Sequence, residues 1–322
     1  MSNVSNITIA TSTTSSYLQF SNTDLVWIYL IPNVLSICCS IFTLYHFLFK
    51  RTLRQALNNH VIILLIIVGL IYELTDIFWL IYYYHFHLAL FSAPAFALIW
   101  MYIDFAFEIT QVILFAWATI ERHILIFHSG WLSTKKKRFF IHYLPIIIII
   151  TYCMVYYGVI IFYPHCSFSF DHTHLYGVTS HPCIYKAIPF VAKWDWIVNQ
   201  IIPTVIIIIF SLALLIRVLL QKHRLHRSIN WKQQRKMIIQ LISISLIYFI
   251  FFIPYTLISA AYTFGLSRTF APALAYYSGV FLFYMIFLVP FAACTTLPDF
   301  KTKIKQLFCY NYRRQRVVHP TT

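Results

Sequence analysis

Charge is the first thing this sequence lacks: Asp, Glu, Lys and Arg make up 10% of its 322 residues, and nine are acidic. Glycine is scarce too, at six residues, and no Gly/Ser-rich stretch divides the chain. Soluble domains carry roughly a quarter of their residues charged, and disordered chains combine low hydrophobicity with high charge. A composition that is 60% hydrophobic and 19% aromatic excludes both, except at the tips. Apolar runs such as YLPIIIIITYCMVYYGVIIF, from Tyr143 to Phe162, are long enough to cross a bilayer. What remains is an all-α, polytopic membrane protein.

The hydrophobic pattern predicts seven spans, at about 26–49, 60–84, 95–127, 139–163, 191–220, 236–264 and 270–293. Their connections are short and leave no room for a further domain. The first 25 residues are Ser/Thr-rich without a hydrophobic signal core, so the first span is expected to stay in the mature chain. The net charge of +15 does not point to nucleic acid, because its distribution is one-sided. Alternating the loops places 21 of the 24 basic residues on one side, with Lys186, Lys193 and Arg268 opposite. The basic side is then cytoplasmic and the N-terminus outside. Asn3 in NVS and Asn6 in NIT are glycosylation acceptors usable only there. The expected organisation is an extracellular glycosylated tail (1–25), a seven-helix bundle (26–296), and an amphipathic helix with a basic cytoplasmic tail (297–322), in the plasma membrane.

Against this apolar background the acids stand out. The third span reads WMYIDFAFEITQVILFAWATIER, which puts Asp104, Glu108 and Gln111 on one stripe. Asp104 and Arg122 are 18 residues apart, five full turns, so they share a face roughly 27 Å apart. Glu73 and Asp76 in LIYELTDIFW reach comparable depths on the second span. Intramembrane acids are costly and usually functional. Four of them in the outer half imply a cationic ligand, an inorganic cation, or carboxyls that keep their protons. The competing reading is that they pair with Tyr, His or Lys, or turn to solvent at the rim. Surrounding aromatics, Tyr255 and Phe252 among them, are able to stack on a cation or simply to pack helices.

Glu121 and Arg122 close the third span at its cytoplasmic end. Together with seven spans and an outside N-terminus, this pair resembles the rhodopsin-like G protein-coupled receptors. Pro203 in the fifth span, Phe252 and Pro254 in the sixth (YFIFFIPY), and Pro290 and Phe300 in LVPFAACTTLPDFKTKIKQLFC follow the same order. The resemblance covers about residues 25–309. Several positions depart from the family: Val289 and Ala293 replace the seventh-helix Asn and Tyr, and Gly69 stands where an Asp is usual in the second. The resemblance implies that Glu121 holds Arg122 at rest and releases it to a heterotrimeric G protein. It also implies that Pro254 and Pro290 serve the activation switch and that Asp104 is the ligand's counter-ion. Glu121-Arg122 read without the resemblance is a snorkelling pair at a helix end.

The family usually ties its long external loop to the third helix through a disulfide. No Cys lies near Ala97 to do so, which leaves Cys166–Cys183 within the loop. Closing it contributes about 3 kcal/mol in the chain-entropy model. Cys309, after the amphipathic FKTKIKQLF, is a palmitoylation candidate or a free thiol. No cofactor and no metal are expected. Phe283 occupies the place of a retinal-binding lysine, and the loop histidines lack a metal-ligand spacing. The function expected is a receptor for a small cationic or peptide ligand, not an enzyme. A cation channel or transporter, and a seven-helix chemoreceptor of separate ancestry, stand as alternatives. A seven-helix zinc hydrolase is disfavoured because His46 and His142 lack companion ligands.

Overall fold

The computed structural model describes residues 18–91, 93–127, 130, 134–163, 182–224 and 231–295. Asn3, Asn6, Cys166, Cys309 and the expected amphipathic helix lie outside them. The described chain is helical, without strands, and forms a seven-helix bundle. In hydrocarbon every backbone amide must be bonded within its own segment, and helices achieve that.

The helices are α1 (Asn22–Phe49), α2 (Asn59–Phe86), α3 (Pro94–Phe127), α4 (Lys135–Phe162), α5 (Pro189–Arg217), α6 (Ile239–Thr263) and α7, which is two pieces, Pro272–Phe281 and Tyr284–Cys294, bent by 44°. Each of the first six is long and apolar enough to cross a membrane, and the two pieces of α7 do so as a pair. The chain is thus a multi-pass membrane protein. We call the end where α1 begins the amino-terminal face and the end carrying Arg122 the basic face.

Local chemistry sets the ends. Ser21 caps α1: its Oγ accepts from the Asp24 amide at 3.1 Å while the Asp24 carboxylate accepts from the Ser21 amide at 3.0 Å. Pro272 opens α7 at its first turn, where no intrahelical bond is lost.

Among the described residues four helices contain a π-helical turn, and three of these have one cause. The turns Phe139–Tyr143, Asp195–Ile201 and Tyr248–Phe252 each end two residues before a proline, Pro145, Pro203 or Pro254. A proline ring has no N–H and collides with the carbonyl four residues back, so the preceding turn widens. The fourth turn, Glu73–Ile77 in α2, has no proline after it. There the Thr75 hydroxyl donates to the Ile71 carbonyl at 2.7 Å.

α3 is the axis of the bundle, packed on α2, α4 and α5, while α1 packs on α2 and α7, and α6 on α5 and α7. α2 and α3 are accordingly the most enclosed, whereas α1 and α4 turn residues such as Trp27, Ile31, Ile148 and Val155 outward. An apolar outer surface is what a lipid-facing bundle requires.

Candidate functional site

Three of the expected acids come together in the amino-terminal half. The Asp104 carboxylate accepts from the Tyr72 hydroxyl at 2.6 Å, and Asp76 accepts from the Trp100 indole N–H at 2.7 Å. Asp76 and Asp104 are buried and Glu108 is half-buried. All three lie within electrostatic range of one another. Tyr255 of α6 is in range of Glu108 and Asp104, and the buried Tyr248 is in range of Glu108. Among the described residues no Lys or Arg pairs with any of the three. Lys186, Lys193 and Arg268 are exposed. The second oxygen of Asp76 and the Tyr248 hydroxyl are buried without a hydrogen-bond partner among the described residues.

Glu73 is not part of this group. The widened turn Glu73–Ile77 directs its side chain to α1, where it accepts from the Ser36 hydroxyl, and its carbonyl takes the Asn33 amide at 3.4 Å. Equal depth along a helix therefore did not mean equal facing.

Asp195, at the amino-terminal end of α5, is a buried acid the sequence reading passed over. It accepts from Tyr157 and Tyr185 hydroxyls and from the Asn199 amide, each at 2.7 Å. Asn199 in turn accepts from Tyr152 at 2.8 Å. Asp195 also lies in range of Glu108. The signal was present in WDWIVNQ, where an acid precedes an Asn by four residues in an apolar segment facing the tyrosines of TYCMVYY.

At the basic end Glu121 and Arg122 are both buried, each 2% exposed. The Glu121 carboxylate bonds to Nδ1 of His142 on α4, which the resemblance did not lead one to expect. His142 continues through Nε2 to His60 Nδ1 at 3.0 Å, and His60 Nε2 meets the Arg54 carbonyl at 2.8 Å.

The remaining positions fall as follows. Pro254 sits just beyond the widened turn of α6, and Pro290 is buried inside the second piece of α7. Phe252 is fully buried, with its ring centroid 6.1 Å from that of Tyr248. Phe283 lies at the bend of α7, its ring 5.5 Å from Tyr29 and 6.2 Å from Tyr72, so it closes the seventh-helix side of the Asp104 region. Gly69 leaves room that Gln111 takes: a Cβ there would lie 3.4 Å from Gln111 Nε2. Cys183 is disulfide-bonded.

A separate crevice of about 160 Å³ lies between α5 and α6, lined by Ile207, Ser211, Leu212, Ser245, Leu246 and Phe249 among others. Its Ser211 and Ser245 hydroxyls bond to each other at 2.7 Å, leaving largely hydrocarbon walls, and Tyr248, in range of Glu108, also lines it.

No family model matches the sequence, and no curated protein matches it by sequence. By fold it is similar to squid rhodopsin: that crystal structure superposes with a TM-score of 0.67 at 17% identity, covering 91% of this chain and 88% of the other. The chain therefore shares the seven-helix fold of that rhodopsin.

Proposed function

We propose that this chain is a plasma-membrane receptor, with its N-terminus outside, that binds a small cationic or peptide ligand between α2, α3, α5 and α6. Binding there promotes nucleotide exchange on a heterotrimeric G protein at the basic face. The observation that carries the reading is the group Asp76, Asp104 and Glu108, three acids in mutual range with no Lys or Arg paired to them among the described residues. Tyr and Trp donors satisfy single oxygens and add no positive charge, so the net charge of any ionised member awaits a cation. Glu108, the more exposed of the three, is the ligand's first contact, and Asp104 lies behind it. Tyr255 and Tyr248 supply faces on which a cation can rest. In the same reading Asn3 and Asn6 are glycosylated, Cys166 pairs with Cys183, Cys309 is palmitoylated, and Arg122, Pro254 and Pro290 serve activation.

The test is nucleotide exchange in membranes expressing the chain, across a panel of amines and basic peptides, with surface expression held equal. Activation abolished by Arg122→Ala and shifted to higher ligand concentration by Glu108→Gln and Asp104→Asn supports the reading. Signalling indifferent to Arg122→Ala removes that residue's role, and ligand responses indifferent to both acid variants remove the site.

A further inference from the structure

The crevice between α5 and α6 has no part in the function proposed above. Its lining recurs with the helical period on both sides, from Thr204 through Ile208 and Ser211 to Leu215 on α5, and from Ile242 to Ile253 on α6. It is therefore a groove running along both helices for about three turns, roughly 16 Å. Its inner end, at Leu215, lies two residues from Arg217, where the α5 span ends. Half of a hydrocarbon core about 30 Å thick is about 15 Å, so the groove matches the depth of the leaflet at the basic face. Leu212, Leu246 and Phe249 form its rim and are more than half exposed, while Ile207, Tyr248 and Phe252 are buried in its floor.

The chemistry of the walls selects the occupant. The Thr204 hydroxyl donates to the Gln200 carbonyl at 2.6 Å, and Ser245 donates to the Leu241 carbonyl at 2.9 Å while receiving from Ser211. Each hydroxyl has one hydrogen, so none of these three has one left to offer, and Tyr248 is buried, its hydroxyl included. A water needs two to four polar partners and finds no such set here. An empty groove forfeits the dispersion contacts of its walls. A cavity of about 160 Å³ is close to the size one benzene ring fills, which admits a single hydrocarbon strand and not a helix. We propose that the groove between α5 and α6 binds one acyl chain of a membrane lipid, drawn from the leaflet at the basic face. The seated chain packs against Tyr248, whose ring stacks on Phe115 of α3 with centroids 4.6 Å apart, and Tyr248 is also in range of Glu108. The groove and the acid group thus share one residue. A lipid influence on ligand binding through Tyr248 rests on the receptor reading, whereas the chain site does not.

The experiment places the full chain in phosphatidylcholine vesicles in which a small fraction of the lipid carries a diazirine at mid-chain, and maps the photo-adducts by mass spectrometry. Adducts on Ile208, Ser211, Ile242 and Ser245 should be several-fold denser than on Ile31, Ile148 and Val155, which face the bilayer from α1 and α4 and are more than half exposed except where α4 packs. Ile208→Trp and, separately, Ile242→Trp fill the groove and should each remove the excess while leaving the α1 and α4 adducts unchanged; either suffices should the other not fold. Adducts no denser in the groove than on α1 and α4, or an excess that survives filling, would overturn the proposal. A probe on the protein side gives a second reading. Phe249→p-benzoylphenylalanine, irradiated in unlabelled vesicles, should yield a lipid adduct of the single chain; a covalent dimer would assign the groove to a second copy and also overturn it. Neither readout involves a G protein, so a silent receptor sinks the proposed function and leaves the chain site standing.

Discussion

In the amino-terminal half, Asp76, Asp104 and Asp195 rest on uncharged donors: an indole, a tyrosine, and a set of two tyrosines and an asparagine. At the basic end Glu121 rests on an imidazole that is itself bonded onward. The difference bears on the proposed function as well as on geometry. Uncharged donors orient a carboxylate without neutralising it, which is what the cation site proposed above requires. An imidazole can neutralise its partner by sharing a proton, so the basic end is closed upon itself. Half-buried Glu108, for which no hydrogen-bond donor is found among the described residues, is the least satisfied of these acids.

The largest effect in breaking this contrast should come from His142→Ala. It strands a buried Glu121, and losing one partner of a buried pair costs about 3–5 kcal/mol, read as the greatest fall in melting temperature of the series. Asp195→Ala comes next. It orphans donors on Tyr157, Tyr185 and Asn199, and with each stranded group worth about 1–3 kcal/mol the loss should reach about 3 kcal/mol after relaxation; Asp195→Asn should recover part of it. Tyr72→Phe removes a single donor from Asp104, for about 1.5–3 kcal/mol, in the same melting assay. Glu108→Gln should leave the melting temperature within the scatter while weakening the response to a cationic ligand. A large melting shift for Glu108→Gln would mean that this acid is structural and would dissolve the contrast between the two ends.

Much of this was readable before any coordinates. The seven spans and the alignment of Asp104 with Arg122 along α3 follow from apolar runs and from a helix with no proline within that interval. The grouping of Asp76, Asp104 and Glu108 was expected from acids reaching matching depths on two sequential helices. Glu73 was grouped with them because an uninterrupted helix was assumed, and the widened turn that begins at Glu73 has no proline to announce it. Asp195 and the histidine chain were missed for another reason. Their partners sit on different helices, at separations of 38 and 10 residues for the tyrosines and 82 and 21 for the histidine contacts. Apart from the Asp195–Asn199 spacing within α5, periodicity within one segment carries no information about such pairs.

The widened turns have one more consequence, for how this chain can be compared with others. Each is in effect a single-residue insertion inside a helix, and it turns everything beyond it by about 100°, one residue's share of a turn. α2, α4, α5 and α6 each contain such a turn, while α3 keeps one phase from end to end. Residue numbers carried across from another chain by counting from one end slip by one past these points unless that chain widens there too. Gaps placed inside the helices, at Glu73–Ile77 and two residues ahead of Pro145, Pro203 and Pro254, would keep the two halves of the bundle in separate register.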